Sequence, residues 1–247
     1  MFEKVLAQRA HKTIYKDGDS VIKVFDECYS KANVLNEALN QARIEETGLN
    51  IPKIREVSKI DGKWAITLDY IEGVTLASLM EQNPDKTEEY LDRFVSIQCE
   101  ILSKKCRYLN KLRDKMTSKI EMTDLDATAK YDLNTRLAAM PRRNKVCHGD
   151  FNPSNIIITP DDRAYILDWS HATQGNASAD AARTYLLFRL ANADYANRYL
   201  EKFCAKHNIS LKYVQNWLPI VAASQSVKGN AHEREFLQRW IDVVDYD

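Results

Sequence analysis

The chain has 247 residues, 45% hydrophobic and 28% charged, with Lys plus Arg and Asp plus Glu balanced at 35 each. That is enough globular sequence for one large domain or two lobes, and without a charge excess neither nucleic acid nor an anionic membrane is expected as a partner. No run approaches the ~20 apolar residues of a membrane span, the start lacks the apolar core of a signal peptide, and five cysteines without metal-ligand spacing read as reduced thiols of a cytoplasmic protein.

The first seventy residues are strand-rich around one helix. Runs at 12–15 and 21–25 are joined by Lys16-Asp17-Gly18-Asp19-Ser20, and Asp-Gly between such runs signals a hairpin. Over 31–46, Val34, Leu35, Ala38, Leu39 and Ala42 recur at helical spacing until Gly48 ends the pattern. Runs at 54–60 and 63–71 flank Asp61-Gly62 as a second hairpin, and Gly73 breaks the chain. From 74 onward helices dominate. Asn83-Pro84 reads as a cap with proline at the first helical position, followed by a core stripe of Leu91, Phe94, Val95, Gln98, Ile101 and Leu102. A helix is expected over 124–139, stopping at Pro141, and others near 179–191, 193–206, 211–224 and 231–243. There are no repeats or long linkers. A small β-rich lobe (1–72) and a larger, mainly helical lobe (73–247) are expected.

Between the helical stretches lies Cys147-His148-Gly149-Asp150-Phe151-Asn152-Pro153-Ser154-Asn155, followed by Ile156-Ile157-Ile158, a turn at Pro160-Asp161-Asp162, and Tyr165-Ile166-Leu167-Asp168-Trp169. Pro153 keeps the first loop from being helical. The two apolar runs form a hairpin whose closed ends put Asp168 beside Asn155. Asp and Asn also serve simply as turn formers. Two aspartates and an asparagine converging at a strand mouth nevertheless suit a hydroxyl-activating base and hard oxygen donors for Mg²⁺, the equipment of phosphoryl transfer. Cys147 and His148, adjacent on an extended segment, point to opposite faces and do not make a nucleophile pair.

His-Gly-Asp-x-x-x-x-Asn followed by a strand and Leu-Asp-Trp resembles the aminoglycoside phosphotransferase and choline kinase family, relatives of the protein kinases. The resemblance covers essentially the whole chain and implies a bilobal α+β, protein kinase-like fold. It implies Asp150 as catalytic base, Asn155 and Asp168 as Mg²⁺ ligands, and ATP and Mg²⁺ as cofactors. Lys23, alone among Ile22, Val24 and Phe25, reads locally as a residue on a solvated strand face. The family pattern instead makes it the lysine that grips the α- and β-phosphates, held by a glutamate of the next helix. Glu37 is the choice for that partner, with Glu27, Glu45 and Glu46 as rivals. The hinge 67–73 would read adenine through the carbonyl of Asp69 and the amide of Ile71, contacts that leave ATP and GTP unseparated by sequence.

No Gly-x-Gly-x-x-Gly occurs in the first 30 residues; Gln8-Arg9-Ala10-His11-Lys12 stands where a phosphate-covering loop belongs, and none of Arg9, His11 and Lys12 is singled out. This departure, and the lack of Ala-Pro-Glu after Asp168, disfavour a protein kinase. In the family, the histidine of His-Gly-Asp braces the loop, here His148, and an acidic residue at the place of Asp180 ties the loop to the next helix. His171 reads as packing or surface. The acceptor is a small molecule bearing a hydroxyl, with Asp150, Asn152, Trp169, Trp217, Trp240 and the tail Asp242, Asp245 and Asp247 as candidate contacts, although tryptophans scattered on helices more often serve as core. An aminoglycoside or amino-sugar acceptor is preferred, with choline, ethanolamine or another metabolite as the alternative and a nucleotide-binding pseudokinase as the alternative of another class. Oligomeric state is not legible.

Overall fold

The computed structural model describes residues 2–227 and 231–241. These divide into two compact units, one formed by residues up to Asn83 with Pro153–His171, the other by Pro84–Asn152 and the residues from Ala172 on. The division differs from a simple cut at 72, because the hairpin after Pro153 packs with the sheet-bearing unit.

The first unit begins with β1 (Lys4–Arg9), β2 (Lys12–Asp17), β3 (Ser20–Phe25), α1 (Lys31–Glu45), β4 (Ile54–Ile60) and β5 (Lys63–Asp69). The five strands form one antiparallel sheet in the order β1-β2-β3-β5-β4. Both expected hairpins are present, and the β4–β5 turn holds Asp61 and Gly62 at φ +50° and +81°, the primed geometry that matches strand twist. β1 has no counterpart among the expected strands: it is an exposed edge strand without apolar alternation. It turns the expected phosphate-covering loop into a tight link at Ala10 and His11, with Lys12 already opening β2.

Helix α1 starts at Ser30, whose hydroxyl accepts from the Asn33 amide. Its inward face differs from the apolar stripe expected over 31–46. Val34 and Ala38 are buried, but Leu35 and Leu39 are 43% and 48% exposed, and Glu37, Asn40 and Gln41 point in. The reason is that each buried polar side chain has a partner in this unit. Gln41 donates to the Pro52 carbonyl at 2.6 Å, Asn40 to the Ser170 carbonyl at 3.2 Å, and Glu37 meets lysines. Phe25, Val34, Ala38, Ile66 and Leu68 form the core between α1 and the sheet. The unit continues through β6 (Val74–Thr75) and α2 (Leu76–Gln82), which Thr75 caps.

In the second unit, Pro84–Lys86 is a 3₁₀ turn, so α3 (Thr87–Ser103) begins three residues later than the proline suggests, and its expected stripe is buried. α4 (Leu112–Glu121) is absent from the sequence expectation, since only Met116, Lys119 and Ile120 are buried and the periodic signal is weak. α5 (Ala127–Ala139) is capped by Asp126 and ends ahead of Pro141. It leads to β7 (Lys145–Cys147). The chain then enters the first unit as β8 (Ile156–Ile158) and β9 (Ala164–Ile166), an antiparallel hairpin extended by β6. Gly73, at φ +155°, lies so close to β8 that a Cβ there would collide with the Ile158 carbonyl and the Ile157 side chain.

Back in the second unit, β10 (Thr173–Gly175) pairs with β7. Among the described residues five helices follow: α6 (Ala177–Ala191), α7 (Ala193–His207), α8 (Leu211–Gln215), α9 (Leu218–Ser226) and α10 (Ala231–Ile241). The single helix expected at 211–224 is thus two, because Pro219 is accommodated only in the first turn of a new helix. Phe94 stacks on Phe151 with centroids 4.4 Å apart and meets Phe188 and Tyr199 edge-on, an aromatic core beneath the His148–Asn152 loop. None of the five cysteines, all among the described residues, forms a disulfide. Among the described residues no helix is long and apolar enough to cross a membrane.

Candidate active site

Lys23 sits mid-strand in β3, opposite Ile14 of β2 and Ile66 of β5. Its side chain is 12% exposed, not solvated, and its Nζ donates to Glu37 Oε1 at 2.7 Å. Of the rival glutamates, Glu45 is engaged elsewhere, accepting from the Ile54 amide. Lys12, which sequence alone does not single out, completes the cluster. Its Nζ lies 3.1 and 3.2 Å from the two Glu37 carboxylate oxygens and 3.5 Å from Asp168 Oδ2. The register contains a signal for it. With residues 14 and 23 opposed, 12 falls opposite 25, so Lys12 and Lys23 share a face of the β2–β3 ribbon as diagonal neighbours.

Asp168 lies 3.8 Å from Lys23 through Oδ1. Burial alone would raise its pKa, but the adjacent Lys23 and Lys12 ammonium groups hold it well below the carboxylate range. Burial likewise opposes charge on Lys23, and Asp168 and Glu37 outweigh it, holding the ammonium well above its ordinary value. The hairpin brings Asn155 and Asp168 together as expected. The Leu167 amide donates to the Asn155 carbonyl at 2.8 Å, and the Trp169 indole N–H returns to the Ile166 carbonyl. Asn40 of α1 grips the next turn through Ser170. Asp168 itself is left-handed, φ +57°, a conformation Asp tolerates better than most residues. Its Oδ1 is buried with no hydrogen-bond partner. An ionised, orphaned oxygen beside an asparagine fits a small hard cation such as Mg²⁺, which takes one or two protein carboxylates and fills its shell with phosphate and water oxygens. The described residues contain no group of three or more His, Cys, Asp or Glu that could hold a metal ion.

The second unit carries the His148–Asn152 loop. His148 is fully buried, and its Nδ1 accepts the Asp150 amide at 3.2 Å, a brace rather than an exposed base. Gly149 is left-handed at φ +81° and donates its amide to Asp180 Oδ1 at 2.7 Å. Asp180, in the first turn of α6, therefore ties the loop to that helix. Burial pushes the Asp180 carboxyl up to about 6, with the Gly149 and His148 amides pulling the other way. Asp150 keeps a partly exposed carboxylate, with Arg183 Nη2 3.7 Å away. Arg183 also reaches Glu233 of α10 at 3.3 Å. Sequence reasoning passes over Arg183 because nothing local marks an arginine three residues after Asp180. Burial and the neighbouring Asp180 push the Cys147 thiol up, which leaves it inert as a nucleophile.

A sequence profile of the phosphotransferase enzyme family matches residues 8–213. The chain belongs to that family. It is a small-molecule phosphotransferase. No curated protein sequence matches it significantly. Among solved structures, the aminoglycoside phosphotransferase APH(4)-Ia is 16% identical with a TM-score of 0.73, covering 97% of this chain and 91% of its own. The choline kinase LicA of Streptococcus pneumoniae is 17% identical, TM-score 0.67, covering 98% and 92%. A choline/ethanolamine kinase family protein of Mesorhizobium loti is 13% identical, TM-score 0.66, covering 99% and 89%. At such identities the likeness concerns the fold, which is the expected α+β, protein kinase-like one.

For this phosphotransferase the remaining sequence candidates fall as follows. The Asp69 amide donates to the Lys53 carbonyl and its carboxylate takes Arg55 at 2.7 Å, so its side chain is committed to the β4–β5 edge. Ile71 lies just past the end of β5. Trp169 and Trp217, candidate acceptor contacts, are 0% and 3% exposed and serve as core. Trp240 packs edge-on against Tyr185 and under Arg189. Asp242, Asp245 and Asp247 lie outside the described residues.

Proposed function

We propose that this phosphotransferase moves the γ-phosphate of ATP, with Mg²⁺, to a hydroxyl of a small molecule of aminoglycoside or amino-sugar type. In this reading 1–72 serve nucleotide binding and 73–247 the chemistry and the acceptor. The observation that carries it is the Lys23–Glu37–Asp168 arrangement. A lysine held by a buried glutamate, beside an ionised aspartate with an orphaned oxygen, is a place for a metal–triphosphate and serves no evident packing purpose. Bound there, Mg²⁺ would neutralise charge developing on the transferred group. Asn155 and Asp168 would hold the ion, Lys23 would position the phosphates, and Asp150 would orient and deprotonate the acceptor hydroxyl. The main chain of Asp69 and Ile71 would meet the base.

Two structural neighbours support nucleotide use: structures of APH(4)-Ia carry ADP or AMP-PNP with hygromycin B, and LicA carries AMP. The amino-sugar preference over choline gains from the burial of Trp169 and Trp217, which removes two rings from any aromatic cage for a quaternary ammonium. The test is ATP consumption against a panel of aminoglycosides, amino sugars, amino alcohols and nucleosides. Acceptor-stimulated turnover is expected with an amino sugar. Asp150→Asn should lower it about 100-fold or more with nucleotide still bound. Stimulation by choline alone would move the acceptor class, and nucleotide binding without transfer to any acceptor or to water would leave a pseudokinase.

A further inference from the structure

We propose that Lys12 is a second phosphate-gripping lysine, which takes the terminal β- and γ-phosphates of the bound nucleotide in place of a glycine-rich loop. The inference rests on the nucleotide reading above and goes beyond it by assigning a residue that the family motifs do not mark.

Three observations converge. First, phosphates cannot be cradled here by a flexible run of backbone amides. β1 and β2 are laddered up to the Arg9–Lys12 pair, leaving only Ala10 and His11 as the link, and neither is glycine. The charge that a loop would neutralise must be met by side chains, and Lys12 is the first residue beyond that link. Second, Lys12 is already turned into the site. It is 16% exposed, with its Nζ on Glu37 and 3.5 Å from Asp168, and it shares the ribbon face of Lys23. Third, two ammonium groups and two carboxylates balance only in the absence of ligand. A dication on Asp168 would repel the Lys12 ammonium now beside that carboxylate, unless anionic oxygens come between them. The terminal phosphates are those oxygens. In the nucleotide-free protein Lys12 is thus held ready by Glu37 and Asp168, and it exchanges the Asp168 contact for phosphate when metal and nucleotide arrive. Lys23, deeper and 2.7 Å from Glu37, keeps its partner.

The experiment measures binding of ATP, ADP and AMP, each with Mg²⁺, to the wild type, Lys12→Met and Lys12→Arg. A charge-assisted hydrogen bond to phosphate implies that Lys12→Met weakens ATP and ADP by about tenfold or more. AMP should stay within about twofold, and Lys12→Arg should recover most of the loss. A residue that only braced Glu37 would act through a misplaced Lys23, whose grip includes the α-phosphate, so AMP would weaken together with ADP and ATP. A loss that extends to AMP beyond about twofold, or no loss for any of the three, overturns the proposal while leaving the function intact. A wild type that binds no nucleotide overturns both. Should Lys12→Met fail to fold, Lys12→Gln, polar and nearly isosteric, is compared in the same series.

Discussion

Replacing Glu37 with Gln removes one negative charge from the centre of the cluster and leaves two ammonium groups facing a single carboxylate. Lys23 and Lys12 reach Oε1 at 2.7 and 3.1 Å, and Lys12 reaches Oε2 at 3.2 Å. At about 3 Å and an effective dielectric near 20, each pair is worth roughly 5 kcal/mol of attraction, which the wild type offsets by desolvation. Breaking a buried pair by deleting one partner typically costs about 3–5 kcal/mol. Here Asp168 remains 3.5 and 3.8 Å from the two lysines, and the carbonyl of the introduced glutamine still accepts one bond. The expected loss is therefore about 2–3 kcal/mol, smaller than the general case. Adding Lys12→Met to the Glu37→Gln protein removes the surplus cation and should return at least about 1 kcal/mol, so that the two changes are non-additive. Urea denaturation at pH 7, comparing midpoints at constant slope, measures all four proteins. A Glu37→Gln protein within about 0.5 kcal/mol of wild type, or a double variant equal to the sum of the singles, refutes the shared-carboxylate picture.

Asp168→Asn keeps a residue that tolerates the left-handed backbone but removes the anionic oxygen, so it should fold, lose the Mg²⁺ dependence of nucleotide binding and abolish turnover. A Mg²⁺ titration with fluorescent ATP that matched wild type would refute the metal assignment. Asp180 predicts a pH dependence. Its folded pKa of about 6 lies above the ordinary 3.8, so the folded state binds the proton more tightly and the contribution is stabilising at low pH and lost as pH rises through 6. Asp180→Asn, which retains an acceptor for the Gly149 amide, should gain on wild type between pH 4 and 6.5 by up to about 3 kcal/mol. Parallel stability–pH curves for the two would show that the carboxyl is not titrating in that window.

Much of this fold is legible in sequence because its signals are local. Asp-Gly turns, a glycine that ends α1, and the apolar stripe of α3 each depend on neighbours in the chain. What is not legible depends on partners distant in sequence. The inward polar face of α1 is set by Lys12, Lys23, Pro52 and Ser170, none of which a hydrophobic period can register. Edge strand β1 lacks alternation because little of it is buried. For the site, hairpin spacing places Asn155 beside Asp168, and the position of Glu37 on the flank of its helix selects it for Lys23. Lys12 escapes notice because its neighbourhood holds several charges of equal local merit, and only counting the β2–β3 register across Gly18 separates it from Arg9 and His11. Trp169 and Trp217 fill the core, the commoner role of scattered tryptophans.

Helix α1 inverts the usual rule for which substitutions a helix tolerates. Its leucines at 35 and 39 are about half exposed, and polar residues at 37, 40 and 41 join Val34, Ala38 and Ile44 on the inner face. A saturation library over 31–45 would accordingly accept Lys, Glu or Gln at the two leucines and reject Leu or Ile at the three polar positions. A hydrophobicity-matched replacement helix, which would improve an ordinary scaffold, would disable this one. Selection on this segment would be visible as constancy of Glu37, Asn40 and Gln41 beside drift at Leu35 and Leu39, a mixture by which a buried helix is not ordinarily recognised.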